Sequence, residues 1–147
     1  MSDESQFCTF TVADLYLGIP VDQVQEVVRS LEMTTVPLAP PAVQGLINLR
    51  GQIVTAIDLR IRLGLAPRPS GEKPMHVVVR TEDGAVSFMV DDIGDVIEAA
   101  SHNFERVPET LSDEARTLVK GVYKLPGRLL LVLDTTRAVN VELTAAA

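Results

Sequence analysis

The stretch Gly45–Arg60, GLINLRGQIVTAIDLR, decides how the rest of the chain is read. Leu46 and Ile47 on one side, and Ile53, Val54, Ala56 and Ile57 on the other, form two apolar arms, the pattern of a buried β-hairpin. The turn between them carries Asn48, Arg50 and Gly51. An arginine there has no packing task, so it needs another explanation. Asp58, which closes the second arm, is either a reacting carboxylate or a helix cap.

The same arrangement returns further along. VQGLINLRGQIVTAID (Val43–Asp58) aligns with VKGVYKLPGRLLLVLD (Val119–Asp134), and Val43/Val119, Gly45/Gly121, Gly51/Gly127 and Asp58/Asp134 are each 76 residues apart. Upstream, IPVDQVQEVV (Ile19–Val28) aligns with FMVDDIGDVI (Phe88–Ile97) at a separation of 69, and TVP (Thr35–Pro37) with RVP (Arg106–Pro108) at 71. Three blocks in one order point to a two-fold duplication of a small β-lobe. The period is longer than that of solenoid repeats.

Each half then has one plan. A strand (Phe7–Val12; His76–Arg80) leads across a turn to a second (Leu15–Ile19; Ala85–Val90). Next comes a segment with apolar residues at Val21, Val24 and Val28, echoed at Val90, Ile93 and Ile97, which suits a helical turn or a bent strand. The Gly51 or Gly127 hairpin completes the lobe. Asp58 to Gly64 reads as an Asp cap, one helical turn and a Gly stop. Lobe 1 covers about residues 6–65 and lobe 2 about 75–143, with APRPSGEKP (66–74) as a flexible linker. Lobes of about five short strands close best as small barrels, which leave no exposed edge.

Composition narrows the function. The 147 residues are 46% hydrophobic but only 4% aromatic, and the valine-rich remainder suits strands. With 13 basic and 20 acidic residues, the net charge of −7 argues against nucleic acid and against anionic membranes. Arg50, Arg60, Arg62, Arg68 and Lys73 form a local basic run of the kind that docks proteins. One cysteine, Cys8, can make neither an internal disulfide nor a thiolate metal cage. The opening MSDESQF lacks a signal-peptide pattern and no apolar run could span a membrane, so a cytoplasmic protein is expected.

Enzyme readings find little support. Twin lobes ending strands in Asp58 and Asp134 invite comparison with aspartic proteases, but neither Asp is followed by the Thr/Ser-Gly pair that chemistry uses. Capping is the better reading of both. His76 and His102 lack spaced ligand partners, and Asp91, Asp92 and Asp95 lack calcium-loop spacing and read as a solvated face. Neither a phosphate loop nor a nucleophile elbow is present. Cys8 reads as core or groove lining.

The opening stretch, with FCTF, GIPVDQVQEVV, VVVR, FMVDDIGDV and GRLLLVLD in order, closely resembles the CheW-like domain family of chemotaxis coupling proteins. The resemblance implies a mainly β fold of two intertwined five-stranded SH3-like barrel lobes around a shared apolar core, with short helical turns. It implies a non-enzymatic adaptor, without cofactor or metal, linking the cytoplasmic tip of chemoreceptors (methyl-accepting chemotaxis proteins) to the regulatory domain of the histidine kinase CheA. Such a protein is monomeric when free and recruited to membrane-associated receptor arrays. A related scaffold serving surface motility or second-messenger control is the alternative. On the kinase side the match assigns Glu26, Gly45, Asn48, Arg50 and Gly51; on the receptor side, a groove of Val21, Val24, Val27, Val90 and Ile93. Glu26 and Arg50 have the chemistry of an ion pair across the lobe, which Asp95 and Pro126 cannot repeat in the second half. Cys8 stands where the family usually has a larger aliphatic residue.

Overall fold

The computed structural model describes residues 4–29, 31–100 and 103–140; His102 lies outside them. Among the described residues, eleven strands are punctuated by short helices: β1 Glu4–Val12, β2 Leu15–Pro20, a 3₁₀ turn Val21–Gln23, β3 Val24–Arg29, β4 Val43–Leu49, β5 Gln52–Asp58, α1 Leu59–Arg62, β6 Met75–Thr81, β7 Gly84–Val90, β8 Asp92–Ala100, β9 Phe104–Glu105, α2 Asp113–Leu118, β10 Val119–Leu125, β11 Arg128–Leu133 and α3 Thr135–Ala138. They form two sheets, ordered β8-β1-β2-β11-β10-β9 and β3-β6-β7-β5-β4. These are the two SH3-like lobes, five main strands each, with two-residue β9 added to the first.

The sheets do not follow the halves of the sequence. The first joins β1 and β2 to β8–β11, and the second joins β3–β5 to β6 and β7. Residues 6–65 and 75–143 therefore each contribute strands to both sheets, and the lobes are intertwined rather than consecutive. The exchange occurs between Pro20 and Val24, and again between Val90 and Asp92.

The duplication is preserved residue by residue in the pairing. Thr55 faces Val86 across the parallel β5–β7 pair, and its counterpart Leu131 faces Leu17, the counterpart of Val86, across β11–β2. The hairpins repeat even their irregularity: Val43↔Ile57 and Gly45↔Ala56 with a bulge between, then Val119↔Leu133 and Gly121↔Val132 with the same bulge. Asp58 N–H donates to the Ala42 carbonyl at 2.8 Å, and Asp134 N–H to that of Leu118 at 2.7 Å.

The segments left open between helix and bent strand resolve differently. Val21–Gln23 is a single 3₁₀ turn leading into β3, whereas the Val90–Ile97 segment is a kink followed by strand. Asp58 caps α1, accepting from Arg60 N–H at 2.9 Å, and Gly64 ends the turn at φ +71°. Helix α2, capped by Ser112, lies in the insertion that separates the second half's blocks.

Three apolar clusters hold the sheets. Ile47, Val54, Val78 and Met89 fill the second lobe; Phe7, Tyr123, Leu130 and Val132 fill the first. The largest lies between them, where Phe10, Leu17 and Ile19 meet Val77, Phe88 and Val90.

Candidate functional site

At the tip of the β4–β5 hairpin, Arg50 and Gly51 take φ values of +55° and +86°. Positive φ at both central residues defines the type I′ turn, whose twist matches that of paired strands. Gly51 satisfies this freely. Arg50 does not, because its Cβ crowds the following carbonyl in the left-handed region. Asn48 Oδ1 accepts from Gly51 N–H at 2.9 Å and fixes the bend. Arg50 Nη1 donates to Glu26 Oε2 at 2.6 Å, with the arginine side chain 76% exposed and the glutamate 20%.

Glu26 is on β3, at one edge of the sheet, and the hairpin forms the other edge. The pair therefore ties the two edges together, as does the neighbouring contact from Gln25 Nε2 to Gln52 Oε1 at 3.5 Å. In the second half the corresponding turn is Pro126–Gly127, with Gly127 at φ +79°, a type II pattern with no charge to present.

Gly45 must be removed from any list of direct contacts, because it is buried. A Cβ there would lie 2.7 Å from the Thr34 carbonyl oxygen. Gly45 thus admits the 33–34 segment, which bridges to Leu46 through two 2.8 Å backbone hydrogen bonds. Gly121 plays the same part beneath Phe104 and Glu105.

The five groove residues also separate. Val90 is 0% exposed and belongs to the central core, so it cannot meet a partner. Strand alternation turns it inward beside Phe88. Val24 and Ile93 are half-buried and pack against the same core. Val21 is half-buried, and Val27 is 40% exposed. Sequence reasoning passed over Val96, 57% exposed, although it lies 69 residues from Val27 and is its duplicate. It also missed the exposed pair Ile53 and Leu129, which are 76 apart. The duplication itself was the signal that could have found them.

Arg60 and Arg68 of the basic run bind within the fold rather than facing a partner. Arg60 is buried and grips Asp91 with two parallel bonds, Nε to Oδ1 at 2.9 Å and Nη2 to Oδ2 at 2.5 Å. Arg68 Nη2 reaches the same carboxylate at 3.1 Å, and its Nη1 approaches Asp58 at 3.9 Å. Arg60 Nη1 also donates to the Ala66 and Pro67 carbonyls at 2.9 and 3.3 Å, so the first part of the expected flexible linker is tied down. Asp91 is correspondingly no solvated residue. Burial would push its carboxyl up, but Arg60, the Ala13 N–H and Arg68 together hold it below the ordinary value.

Asp58 and Asp134 each serve their own helix. Asp58 Oδ1 caps α1, and Asp134 Oδ1 accepts from Arg137 N–H at 3.2 Å with the Arg137 guanidinium 3.8 Å away. A proton-sharing dyad needs two carboxylates facing one another; each here faces an arginine. His76 is fully buried, its Nδ1 2.9 Å from Ser87 Oγ, and burial followed by the charge of Arg68 lowers its pKa. Cys8 is half-buried on β1 opposite Ile19 and Val96, and burial pushes its thiol up, away from the reactive thiolate. Among the described residues, no cluster of His, Cys, Asp or Glu is placed to hold a metal ion, and no helix is long and apolar enough to cross a membrane.

Comparison with known proteins adds three findings. The CheW-like domain family matches residues 6–142. Chemotaxis protein CheW of Helicobacter pylori is 34% identical over 128 residues, covering 87% of this chain and 77% of that protein; that of Bacillus subtilis is 29% identical over 138 residues, covering 94% and 88%. The crystal structure of scaffolding protein TtCheW from Thermoanaerobacter tengcongensis superposes with a TM-score of 0.79 at 26% identity, covering 88% of each chain.

Proposed function

The chain belongs to the CheW-like domain family, and from that membership we propose that it is a non-enzymatic chemotaxis adaptor, coupling the cytoplasmic tip of chemoreceptors to the regulatory domain of the histidine kinase CheA. The observation that carries this reading is Arg50. A residue with a Cβ in the left-handed region costs about 1–2 kcal/mol, and Asn or Gly would make a better turn. Its exposed ion pair returns about 1 kcal/mol or less. An arginine standing against that local cost, paired with Glu26 at the tip of a bend that Asn48 fixes, has the character of a recognition residue.

The kinase surface is accordingly Arg50, Glu26, Asn48 and Gly51, with Gly45 supporting the hairpin from beneath. The receptor surface is the edge carrying Val27, with Val21 and Val24 preceding it in the chain and Ile93 contributed from β8 of the other sheet. Apolar side chains there suit the apolar face of an amphipathic helix.

The test is a mixing experiment. The protein co-sediments with receptor cytoplasmic fragments and CheA, and kinase autophosphorylation rises when all three are present. Failure to bind either component overturns the proposal.

A further inference from the structure

The DLRIR segment, Asp58–Arg62, does more than end a strand. Both of its arginines leave their own sheet. Arg60 follows β5 and reaches Asp91, which stands where the chain passes from β7 in one sheet to β8 in the other. Asp91 Oδ2 also accepts from Ala13 N–H at 2.7 Å, in the β1–β2 turn of the opposite sheet, and Asp91 N–H donates to Thr11 at 2.9 Å. Arg62 reaches across to α3, Nε donating to the Ala138 carbonyl at 3.1 Å and Nη2 to that of Arg137 at 2.7 Å. Arg68 adds the linker to the same carboxylate.

The duplication supplies an internal contrast. Thr136 occupies the place of Arg60, 76 residues on, and Ala138 that of Arg62. On that side the sheets are joined by a neutral hydrogen bond, Thr135 Oγ1 to Gln23 Oε1 at 3.0 Å. Arg137 stays on its own sheet, donating to the Thr117 carbonyl at 3.2 Å. One flank of the molecule is fastened by charge and the related flank is not.

We infer that Arg60, Arg62 and Arg68 form a clasp, anchored chiefly on Asp91, that fixes the angle between the two sheets. Resting on the adaptor reading, these are positioning residues: they touch no partner but hold Ile93, on β8 of the first sheet, in fixed relation to Val24 and Val27, on β3 of the second, so that the two parts of the receptor surface keep one spacing. A rigid spacing avoids ordering costs when one partner helix binds across both sheets.

The experiment uses the full chain with Cys8→Ser and spin labels at Ile53→Cys and Leu129→Cys, exposed positions on different sheets. In the free protein the label-to-label distance distribution is narrow. Asp91→Asn broadens it and speeds amide exchange over residues 66–74, whereas Arg60→Lys, which keeps the charge but loses the fork, broadens it less. On unlabelled protein, Asp91→Asn leaves affinity for CheA, whose surface lies on one sheet, within about twofold, but weakens binding of receptor fragments about tenfold. If Asp91→Asn does not fold, Arg60→Lys carries the same readings. A distribution that stays narrow in the variants overturns the clasp. A broadened one with undiminished receptor-fragment binding overturns its positioning role. Unsubstituted protein that binds neither partner defeats the adaptor reading alone, since the distance measurement needs no partner.

Discussion

The guanidinium of Arg50 lies 2.6 Å from the carboxylate of Glu26, joining a turn to the strand at the opposite edge of the same sheet. The contact is largely solvent-exposed, so orientation matters more than stability. Replacing Arg50 by Glu should abolish kinase coupling while changing unfolding free energy by about 1 kcal/mol or less. Arg50→Gly, which relieves the left-handed backbone, should keep or gain stability and still lose coupling. Urea denaturation alongside a coupled kinase assay checks both. A loss of several kcal/mol in either variant would make Arg50 a structural residue.

Gly45 and Gly121 should behave alike despite standing in different sheets. An added Cβ at Gly45 meets the Thr34 carbonyl, and one at Gly121 meets the Phe104 ring and the Glu105 carbonyl. Alanine at either position should cost about 1–3 kcal/mol by forcing the crossing segment away. Thermal melts of the two single variants test this. Normal stability in both would show that the crossing segments yield.

Val27 and Val90 should part company. Aspartate at Val90 buries an unpaired charge in the central core and should prevent folding. Aspartate at Val27, 40% exposed, should leave the melt within about 0.5 kcal/mol yet weaken receptor-fragment binding. Undiminished binding in Val27→Asp would remove that edge from the docking surface.

His76 makes stability depend on mild acid. Its pKa is lowered in the fold, so the unfolded chain takes up the proton first. Stability should fall as pH drops below the ordinary value of 6.5, by up to about 1.4 kcal/mol per pH unit, until the folded protein protonates as well. Urea midpoints at about pH 7.5 and 5.5 measure the loss, and His76→Gln should flatten it. An unchanged slope in that variant would transfer the effect to other groups.

Several of these features were legible in the sequence. The duplication could be read because its blocks keep fixed separations, and Asp58 could be read as a cap because its signal is local. Arg50 stood out by breaking the rule of its own turn. The strand exchange was implied by the family resemblance alone, since hydrophobic alternation reports which face is buried and not which strand lies alongside. Val90 was misplaced for a related reason: a valine at i, i+3 spacing reads identically on either face. Arg60 and Arg68 looked like solvent-facing charge because their shared partner, Asp91, is 31 and 23 residues away.

The parallel pairing of β2 with β11 joins Leu17 to Leu131 and Gly18 to Val132. During synthesis, the open β2 edge of the first hairpin therefore waits for β11, the last of the described strands, before it is covered. Such distant closure slows folding and leaves an adhesive edge exposed meanwhile. Until Arg128–Leu133 has been made, the uncovered Leu15–Pro20 edge is free to pair with another chain.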